Sequence, residues 1–289
     1  MRRISDYMRV EESRHMLNDL TRKTFGFDFE SWVTNGYFEG DYIPYSIEHE
    51  GKIISNVSAN RMVFLQNGIV RNYIQIGTVM TDENYRKQGL AADLIRHVIK
   101  EYEHACDGIY LFGNLDAIGF YQKMGFEMMN QYRYAVKDEF CRSEKAETRF
   151  KPVKDLGEEK RKLYLDRVRE SAPHSSFEQM NKYGLQMFYT SSLDNVFYAE
   201  DLNCFIVLEQ EDGPVLQSVL CNEKVALTEV LRRLDIQNCR LGFTPLDEDK
   251  EKCISEMYDG GEDYRLFYMG EVLRAIERDK LYFPDLSHA

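Results

Sequence analysis

The chain has 289 residues, 43% hydrophobic and 30% charged, which is typical of a soluble globular protein with a sizeable core, and about 100–200 residues per domain predicts two domains. Its net charge of −12 argues against nucleic acid as a main partner, because phosphate binding needs a basic surface, and is compatible with a cationic or amine substrate. No apolar run is long enough for a transmembrane helix, and the N-terminal segment lacks a secretory signal, so we expect a cytoplasmic protein without a membrane partner.

The first half reads as an alternation of strands and helices. Residues 9–25 predict a helix with Met16, Leu17 and Leu20 on one side. Residues 73–80 are apolar on both faces, which predicts a central buried strand. The remaining elements are strands at 41–48, 52–59, 61–66, 108–113 and 126–136, and helices at 89–104 and 115–124. This order predicts an α/β fold with a mixed sheet.

The second half follows a charged stretch, 138–154, which is the candidate linker. Beyond it we predict helices at 155–171, 222–234 (with Asn222 as N-cap) and 247–258, a hairpin at 204–221, and strands at 239–244 and 264–270. The order repeats that of residues 53–136. Either the second half is a degenerate copy of the first, or it shares an order that many α/β domains have.

The cysteines show no CxxC pair and no regular spacing. Cys204 and Cys221 lie within or beside apolar strand-like runs. We therefore predict reduced, buried thiols at all six positions, which are 106, 141, 204, 221, 239 and 253.

The segment "TDENYRKQGLAADL" carries the clearest chemistry. A strand that leads into a helix leaves several backbone N–H groups unpaired at one point, and the helix dipole adds about half a positive charge there. Arg86 and Lys87 add full charges, while Gly89 and Ala91 remove side chains that would block close approach. Together these features predict a diphosphate site. The phosphate-loop pattern GxxxxGK[ST] and the dinucleotide pattern GxGxxG are both absent.

Two patterns resemble the GNAT superfamily of N-acetyltransferases. The first is Arg86-x-x-Gly89-x-Ala91, similar to the loop that binds the pyrophosphate of acetyl-CoA in that superfamily. The second, "NLDAIGFYQKMGFE", resembles its N-x-x-A-x-x-F-Y-x-x-x-G-F signature, with the residues Asn114, Ala117, Phe120, Tyr121, Gly125 and Phe126. Their order and spacing match, and the resemblance covers about residues 10–136.

The resemblance implies acetyl-CoA as co-substrate and no metal. The backbone of Val79, Met80 and Thr81 would pair with the pantetheine arm, and Asn114 would contact that arm or line the cleft. Tyr121 would be the general acid that protonates the departing CoA thiolate; the alternative is a tyrosine that only packs in its helix. The pyrophosphate would be held by the loop residues Arg86, Lys87, Gln88, Gly89, Leu90, Ala91 and Ala92.

A general base for the acceptor ammonium is less evident. Glu83 is a candidate beside the cofactor strand, although residues at such positions usually cap or solvate a helix start, and ordered water can replace a direct base. The apolar C-terminal tail "LYFPDLSHA" predicts packing rather than a solvated end. It is similar to the tail of the enhanced-intracellular-survival type of this superfamily, in which the terminal carboxylate enters the active site. That resemblance implies the Ala289 carboxylate, or His288, as base or substrate anchor; the alternative is a tail that only joins the domains.

We therefore predict a GNAT catalytic domain at 1–137, a linker at 138–154 and a second GNAT-like domain at 155–289. The second domain has "CNEKVALTEV" where the loop would stand, with Glu223 in place of a glycine-rich turn, so we expect it to bind no CoA and to wall the acceptor cleft or form a homodimer contact. The predicted function is acetyl transfer from acetyl-CoA to a primary amine of a small cationic molecule, such as a polyamine or an aminoglycoside. The alternatives are a non-catalytic acyl-CoA-binding regulatory module and a structural protein with a fortuitous motif.

Overall fold

A computed structural model describes residues 1–141, 148–211, 213–234 and 236–289. The chain forms two mixed β-sheets with helices packed on them, so the predicted α/β mixed-sheet architecture is confirmed. In chain order the strands are β1 (Arg2–Ser5), β2 (Tyr42–His49), β3 (Lys52–Gln66), β4 (Ile69–Thr81), β5 (Gly108–Gly113), β6 (Glu127–Met129), β7 (Gln131–Val136), β8 (Lys151–Pro152), β9 (Phe177–Gln179), β10 (Val196–Ala199), β11 (Cys204–Glu209), β12 (Val215–Cys221), β13 (Arg240–Leu241), β14 (Cys253–Tyr258) and β15 (Arg265–Met269).

The helices cover the sheet faces. They are α1 (Glu11–Phe25), α2 (Glu30–Thr34), α3 (Leu90–Tyr102), α4 (Ile118–Lys123), α5 (Asp138–Cys141), α6 (Glu158–Glu170), α7 (Tyr183–Thr190), α8 (Leu227–Leu234) and α9 (Ala275–Arg278). Within the described ranges, no helix combines the length and the apolar character that crossing a bilayer requires.

The hairpins of the first sheet follow from their turn residues. β2 and β3 are joined through Glu50 and Gly51, and β3 and β4 through Asn67 and Gly68, all with positive φ. Two-residue turns of this kind match the twist of antiparallel strands and favour Asn and Gly. They fix the register of β3, which runs unbroken where the sequence predicted two strands.

The two halves exchange strands: β7 of the first half joins the second sheet, and β15 and β9 of the second half join the first sheet, where β9 pairs with β3 beside the main strand order. The first sheet has the order β1-β2-β3-β4-β5-β15-β6, so β15 from the end of the chain lies between β5 and β6. The second has the order β14-β7-β13-β12-β11-β10-β8, so β7 from the first half lies between β13 and β14. In each sheet the strand pair that is joined by a helix, β4 with β5 or β12 with β13, is parallel. This reciprocal order supports the predicted duplication.

The exchange affects the predicted domain boundaries. A cut at residue 137 does not separate the sheets, because β7 belongs to the second and β15 to the first. The predicted strand 126–136 is interrupted at Asn130, where the chain passes from one sheet to the other. Of the candidate linker 138–154, residues 138–141 form α5 and 151–152 form β8, while 142–147 lie outside the described residues.

Several predicted elements of the second half differ in the structure. The helix expected from 222 begins at Leu227, so Asn222 does not cap it. The strand expected at 239–244 is reduced to β13, and the helix expected at 247–258 is a short 3₁₀ turn followed by β14. β14 forms because residues 253–258 pair along the full length of β7, a long-range contact that overrides local helix preference.

The prediction that all six cysteines are reduced is wrong in the structure for one pair. Cys204 and Cys221 stand directly opposite each other on β11 and β12, with Cα atoms 4.6 Å apart, and form a disulfide. That separation is within the range a disulfide spans. The other four cysteines are not joined in a disulfide, and burial raises the pKa of Cys239 and of Cys253 to about 12.

The C-terminal tail is part of the core. Phe283 is fully buried and stacks on Tyr110 of β5 with ring centroids 4.2 Å apart, and it also contacts Phe64 and Phe177. Residues of both halves therefore share one apolar cluster, and the expectation of a packed tail is confirmed.

Candidate active site

The parallel strands β4 and β5 separate to open a cleft. They pair only through residues 73–75 of β4 and 108–110 of β5, and beyond this point each strand continues without the other. A bulge between β3 and β4 accompanies the separation, and Thr78 there has a φ of 39°. The backbone of β4 past the bulge is therefore exposed to the cleft, where an extended ligand could pair with it.

The predicted phosphate loop lies between the end of β4 and α3. Gly89 is the N-cap of α3 with a φ of 80°, and a Cβ built on it would have no atom within 4 Å. Lys87 also has a positive φ, 64°, and residues 86–89 are exposed. The start of α3 is thus open to solvent and free of bulky groups, as an incoming diphosphate requires.

The other predicted cofactor residues differ in their relation to the cleft. Val79 lines its cavity, whereas Met80 is buried, does not line it, and accepts a hydrogen bond at its carbonyl oxygen from the hydroxyl of Ser55 at 3.0 Å. Arg86 donates from Nε to the carbonyl oxygen of Thr81 at 3.3 Å, which ties the loop to the strand. Asn114 follows β5 and lines the cavity from the opposite side.

Tyr121 lies in α4 and points into the cleft. Its ring packs against Gly113, where an added Cβ would be 2.6 Å from Cε2, and lies 5.2 Å from the ring of Phe267 in the exchanged strand β15. Burial raises the pKa of Tyr121 to about 12, so the phenol is protonated near neutral pH. Its position depends on both halves of the chain.

One large cavity, of about 590 Å³, occupies the cleft. The structure brings five predicted site residues to its wall, which are Val79, Asn114, Tyr121, His288 and Ala289. Glu83 is not among the lining residues. Its carboxylate is largely exposed and lies 3.0 Å from Nζ of Lys23, so the prediction of Glu83 as base finds no support in its position.

The C-terminal residues enter this cavity. The carbonyl carbon of Ala289 would be 2.8 Å from a Cβ built on Gly77 of β4, so only a glycine leaves it room. The hydroxyl of Tyr189 donates to the carbonyl oxygen of His288 at 2.5 Å, and the His288 ring stacks on Phe112 at 3.8 Å. Burial lowers the pKa of His288 to about 4, so its ring is neutral near pH 7.

Aromatic side chains that the sequence analysis did not single out form one side of the cavity. We call Phe27, Phe29, Trp32, Tyr42 and Phe188 the aromatic wall, since all five line the cavity and successive rings lie 4.8–6.1 Å apart. The dense run "FGFDFESW" at 25–32 was the available signal. Phe188 could not be placed from the sequence, because it comes from α7, far along the chain.

A buried hydrogen-bonded chain connects the cavity to the sheet. Tyr42 shares a hydrogen bond of 2.8 Å with Thr78, whose hydroxyl donates to Ser58 at 2.9 Å. Asn60 donates to the same Ser58 oxygen at 3.0 Å and lines the cavity beside Gly77. These bonds hold the bulge of β4 in place, which in turn fixes the shape of the cleft.

The second half contributes walls rather than a second cleft. Residues of β9 and α7 line the cavity, together with 288–289. Glu223 lies before α8, which begins four residues later. Among the residues that the structure describes, no group of three or more His, Cys, Asp or Glu side chains is placed to hold a metal ion.

The sequence matches the acetyltransferase (GNAT) family over residues 8–126. No curated protein gives a significant match.

Solved structures similar to this chain share its fold across most of its length. A GCN5-related N-acetyltransferase from Kribbella flavida aligns with a TM-score of 0.54 at 15% identity, covering 92% of this chain and 70% of that one. A GCN5-related N-acetyltransferase from Anabaena variabilis aligns with a TM-score of 0.57 at 14% identity, covering 92% of this chain and 72% of that one. Eis1 from Mycobacterium abscessus aligns with a TM-score of 0.55 at 10% identity, covering 92% of this chain and 73% of that one. Their likeness extends over the second half as well as the first. Residues 8–126 thus match the acetyltransferase (GNAT) family, and the chain as a whole is similar in fold to these N-acetyltransferases.

Proposed function

We propose that this protein is an acetyl-CoA-dependent N-acetyltransferase that modifies a primary amine of a small molecule. The observation that carries the proposal is the free backbone edge of β4, which leads at one end to an open helix N-terminus at Gly89 and borders the cavity that the phenol of Tyr121 lines. The family match supports the acyl-transfer chemistry.

The donor would lie along the separated edge of β4. Its pantetheine arm would pair with the backbone of Val79 to Thr81, while the pyrophosphate would accept hydrogen bonds from the amides of residues 87–92. Arg86 and Lys87 would add charge attraction at an exposed site. This arrangement directs the thioester towards the cavity that Asn114 and Tyr121 line.

The transfer requires three proton movements. The acceptor ammonium must lose a proton to the base before its nitrogen attacks the thioester carbonyl, because a protonated amine has no free electron pair. After the N–C bond forms, the nitrogen is again positively charged and must lose a second proton. As the C–S bond breaks, the CoA sulfur takes the proton of the Tyr121 phenol, and the second proton from the nitrogen restores that phenol. The raised pKa of Tyr121, about 12, keeps that proton in place before the transfer.

The Ala289 carboxyl group is the proposed base. It is the acidic group that lies against β4 at Gly77, on the wall shared with Tyr121. His288 is the second candidate, because burial lowers its pKa to about 4 and so keeps the ring neutral near pH 7, and its Nε2 is buried and has no hydrogen-bond partner within the described residues. Ordered water remains the alternative route.

The role of the second half is to wall the acceptor cleft rather than to bind CoA. A contact between two copies of the chain is a second role that we keep as a hypothesis. The alternative to the enzyme is a non-catalytic acyl-CoA-binding regulatory module. The cavity beside Tyr121 favours the enzyme, because a module that only senses acyl-CoA needs no space of about 590 Å³ next to the thioester.

The deciding experiment measures release of free CoA thiol from acetyl-CoA with a panel of primary amines and short peptides. Sustained release with at least one amine is the expected result. Binding of CoA without turnover across the panel would favour the regulatory module, and absence of any thermal shift with acetyl-CoA would reject both.

The cofactor site has a matched pair of variants. Gly89 and Gly68 have φ values of 80° and 79°, and neither has an atom within 4 Å of an added Cβ. Gly89→Leu and Gly68→Leu therefore impose similar backbone strain, of about 1–3 kcal/mol. We expect only Gly89→Leu to lose affinity for CoA, with a Kd that rises about tenfold or more. Equal affinity in the two variants would contradict the assignment.

A further inference from the structure

The aromatic wall offers ring faces rather than hydrogen bonds to the cavity. Nε1 of Trp32 donates to the carbonyl oxygen of Gly184 at 2.7 Å, and the hydroxyl of Tyr42 is bonded to Thr78. Their polar atoms are therefore already used within the protein. The other three members of the wall are phenylalanines, so what faces the acceptor is apolar and planar.

The wall is held rigidly enough to select a shape. Phe29 and Trp32 are almost fully buried, and Phe188 lies between 5.4 and 6.0 Å from the rings of Phe27, Phe29 and Trp32. Aromatic pairs prefer centroid separations of about 4.5–7 Å in offset or edge-to-face arrangements. A further ring that entered the cavity would meet partners already spaced for such contacts.

The charges at the cavity are few. Two acidic side chains line it, and one of them, Glu39, is paired with Arg169. The other, Asp41, has a pKa raised above its ordinary value, by burial first and by Glu39. A molecule with several ammonium groups needs a carboxylate for each charge that is desolvated. With the Ala289 carboxyl group assigned to the reacting nitrogen and Glu39 paired with Arg169, only the Asp41 side chain is left among these acidic groups. The guanidinium of Arg61 at the same wall disfavours further cations.

We propose that the acceptor is an arylalkylamine, that is, a primary amine joined by a short aliphatic linker to a flat aromatic body. This inference rests on the proposed function and names its substrate class. The reacting nitrogen must lie beside Tyr121 and Gly77, so the remainder of the molecule is what meets the aromatic wall.

The position of Asp41 adds a preference for a polar substituent on the far side of the ring. The backbone of Asp41 accepts a hydrogen bond from the amide of Arg61 at 2.9 Å, and Arg61 stands opposite Ile74 on β4. Ile74 is three residues from Gly77, which places this end of the cavity about 10 Å along the strand from the reacting end. A hydroxyl or N–H group at that distance from the amine would find the Asp41 carboxylate.

The first experiment compares matched amines in the CoA-release assay. The probes are 2-phenylethylamine and tryptamine against 1,4-diaminobutane, spermidine and kanamycin. We expect kcat/KM to be at least about tenfold higher for the aryl amines, which corresponds to the combined contribution of one or two aromatic contacts. Faster turnover of the polyamines or of kanamycin would overturn the substrate class and leave the N-acetyltransferase proposal standing. No turnover with any amine would instead contradict the proposed function.

The second experiment uses a wall variant that is expected to fold. Phe27 is 36% exposed, so Phe27→Ala removes a ring without opening a buried core. We expect KM for tryptamine to rise about two- to tenfold, while KM for acetyl-CoA and the rate with ethylamine stay unchanged. Ile254→Ala on β14 is the control, since Ile254 is 60% exposed and does not line the cavity. An equal rise in KM for ethylamine and tryptamine would show that the aromatic wall does not bind the ring of the substrate, and would overturn the proposal.

Discussion

The main-chain carboxyl carbon of Ala289 lies against the Cα of Gly77, close enough that a Cβ on Gly77 would be 2.8 Å from it. The φ of Gly77 is not in the left-handed region, so backbone conformation does not require a glycine there. A glycine is required because Ala289 lies so close to the Cα of Gly77. The contact joins the last residue to the strand along which acetyl-CoA would lie, and it makes the position of the proposed base dependent on the absence of one methyl group.

Gly77→Ala should displace Ala289 from β4. We expect kcat to fall about tenfold or more, because a base moved from its place loses most of its contribution, and we expect a stability loss of about 1–3 kcal/mol from overpacking. Gly119→Ala in α4 is the control, since a Cβ there meets nothing within 4 Å. If Gly77→Ala keeps wild-type kcat in a folded protein, Ala289 is not the base. Removal of Ser287–Ala289 should have the same effect on kcat as Gly77→Ala.

The helix start at Gly89 and the short helix that carries Tyr121 could be located from the sequence because their signals are local. The loop at 86–92, the helix after it and the signature around Tyr121 each occupy a few consecutive residues. Their patterns follow from the start of one helix and the packing of another. The strand 108–113 was predicted with the bounds that the structure gives.

The strand order of the two sheets and the aromatic side of the cavity depend on contacts between residues that are distant in the sequence. β7 and β15 each read as a strand, but nothing in either sequence says which sheet it joins, because strand pairing is decided by the partner rather than by propensity. The wall residue Phe188 and the tail residue Phe283 contact residues of the first half that are far away in the sequence, namely Trp32 and Tyr110. The aromatic side of the cavity therefore required the structure.

Tyr121→Phe removes the proposed acid with little change in packing. General acids contribute about 10²–10⁴-fold, so we expect kcat to fall by at least about a hundredfold with KM for acetyl-CoA unchanged. With a pKa of about 12, the wild-type phenol keeps its proton up to about pH 11, so the rate should show no alkaline decline from this group below that pH. Tyr132→Phe on β7 is the control. A kcat for Tyr121→Phe within about threefold of the wild-type value would identify Tyr121 as a packing residue.

The disulfide can be counted directly. Denatured, unreduced protein should titrate with four thiols, because Cys204 and Cys221 are joined and the other four cysteines are not in a disulfide. Six thiols would show that the pair is reduced in the isolated protein. The loop between the two cysteines, with a sequence separation of 17, predicts a stabilisation of about 3 kcal/mol. A reductant should therefore lower the Tm of the wild type and leave that of the double variant Cys204→Ala/Cys221→Ala unchanged.

His288 should make stability dependent on pH in a defined window. Its pKa is lowered from 6.5 to about 4, first by burial and then by Arg133, so the unfolded chain takes up a proton below pH 6.5 while the folded protein does not until about pH 4. The stability from the neutral ring is thus fully present above pH 6.5 and is lost as the pH falls towards 4. Between pH 7 and 5 the expected loss is about 2 kcal/mol in the free energy of unfolding.

Neighbouring groups add to or oppose this dependence. Burial also lowers the pKa of His174, which acts in the same direction, whereas burial raises the pKa of Asp285, which favours the folded protein as the pH falls. His288→Phe isolates the contribution of the one ring, because it keeps a planar group against Phe112 and removes the titration. Denaturant unfolding at pH 7 and 5 should show a smaller loss for His288→Phe than for the wild type. His104→Gln, at a largely exposed position, is the control and should show the same decrease in the free energy of unfolding as the wild type. Equal losses in wild type and His288→Phe would mean that the His288 ring is protonated in the folded protein at pH 5, and that its environment is not the dry one that its burial against Phe112 implies.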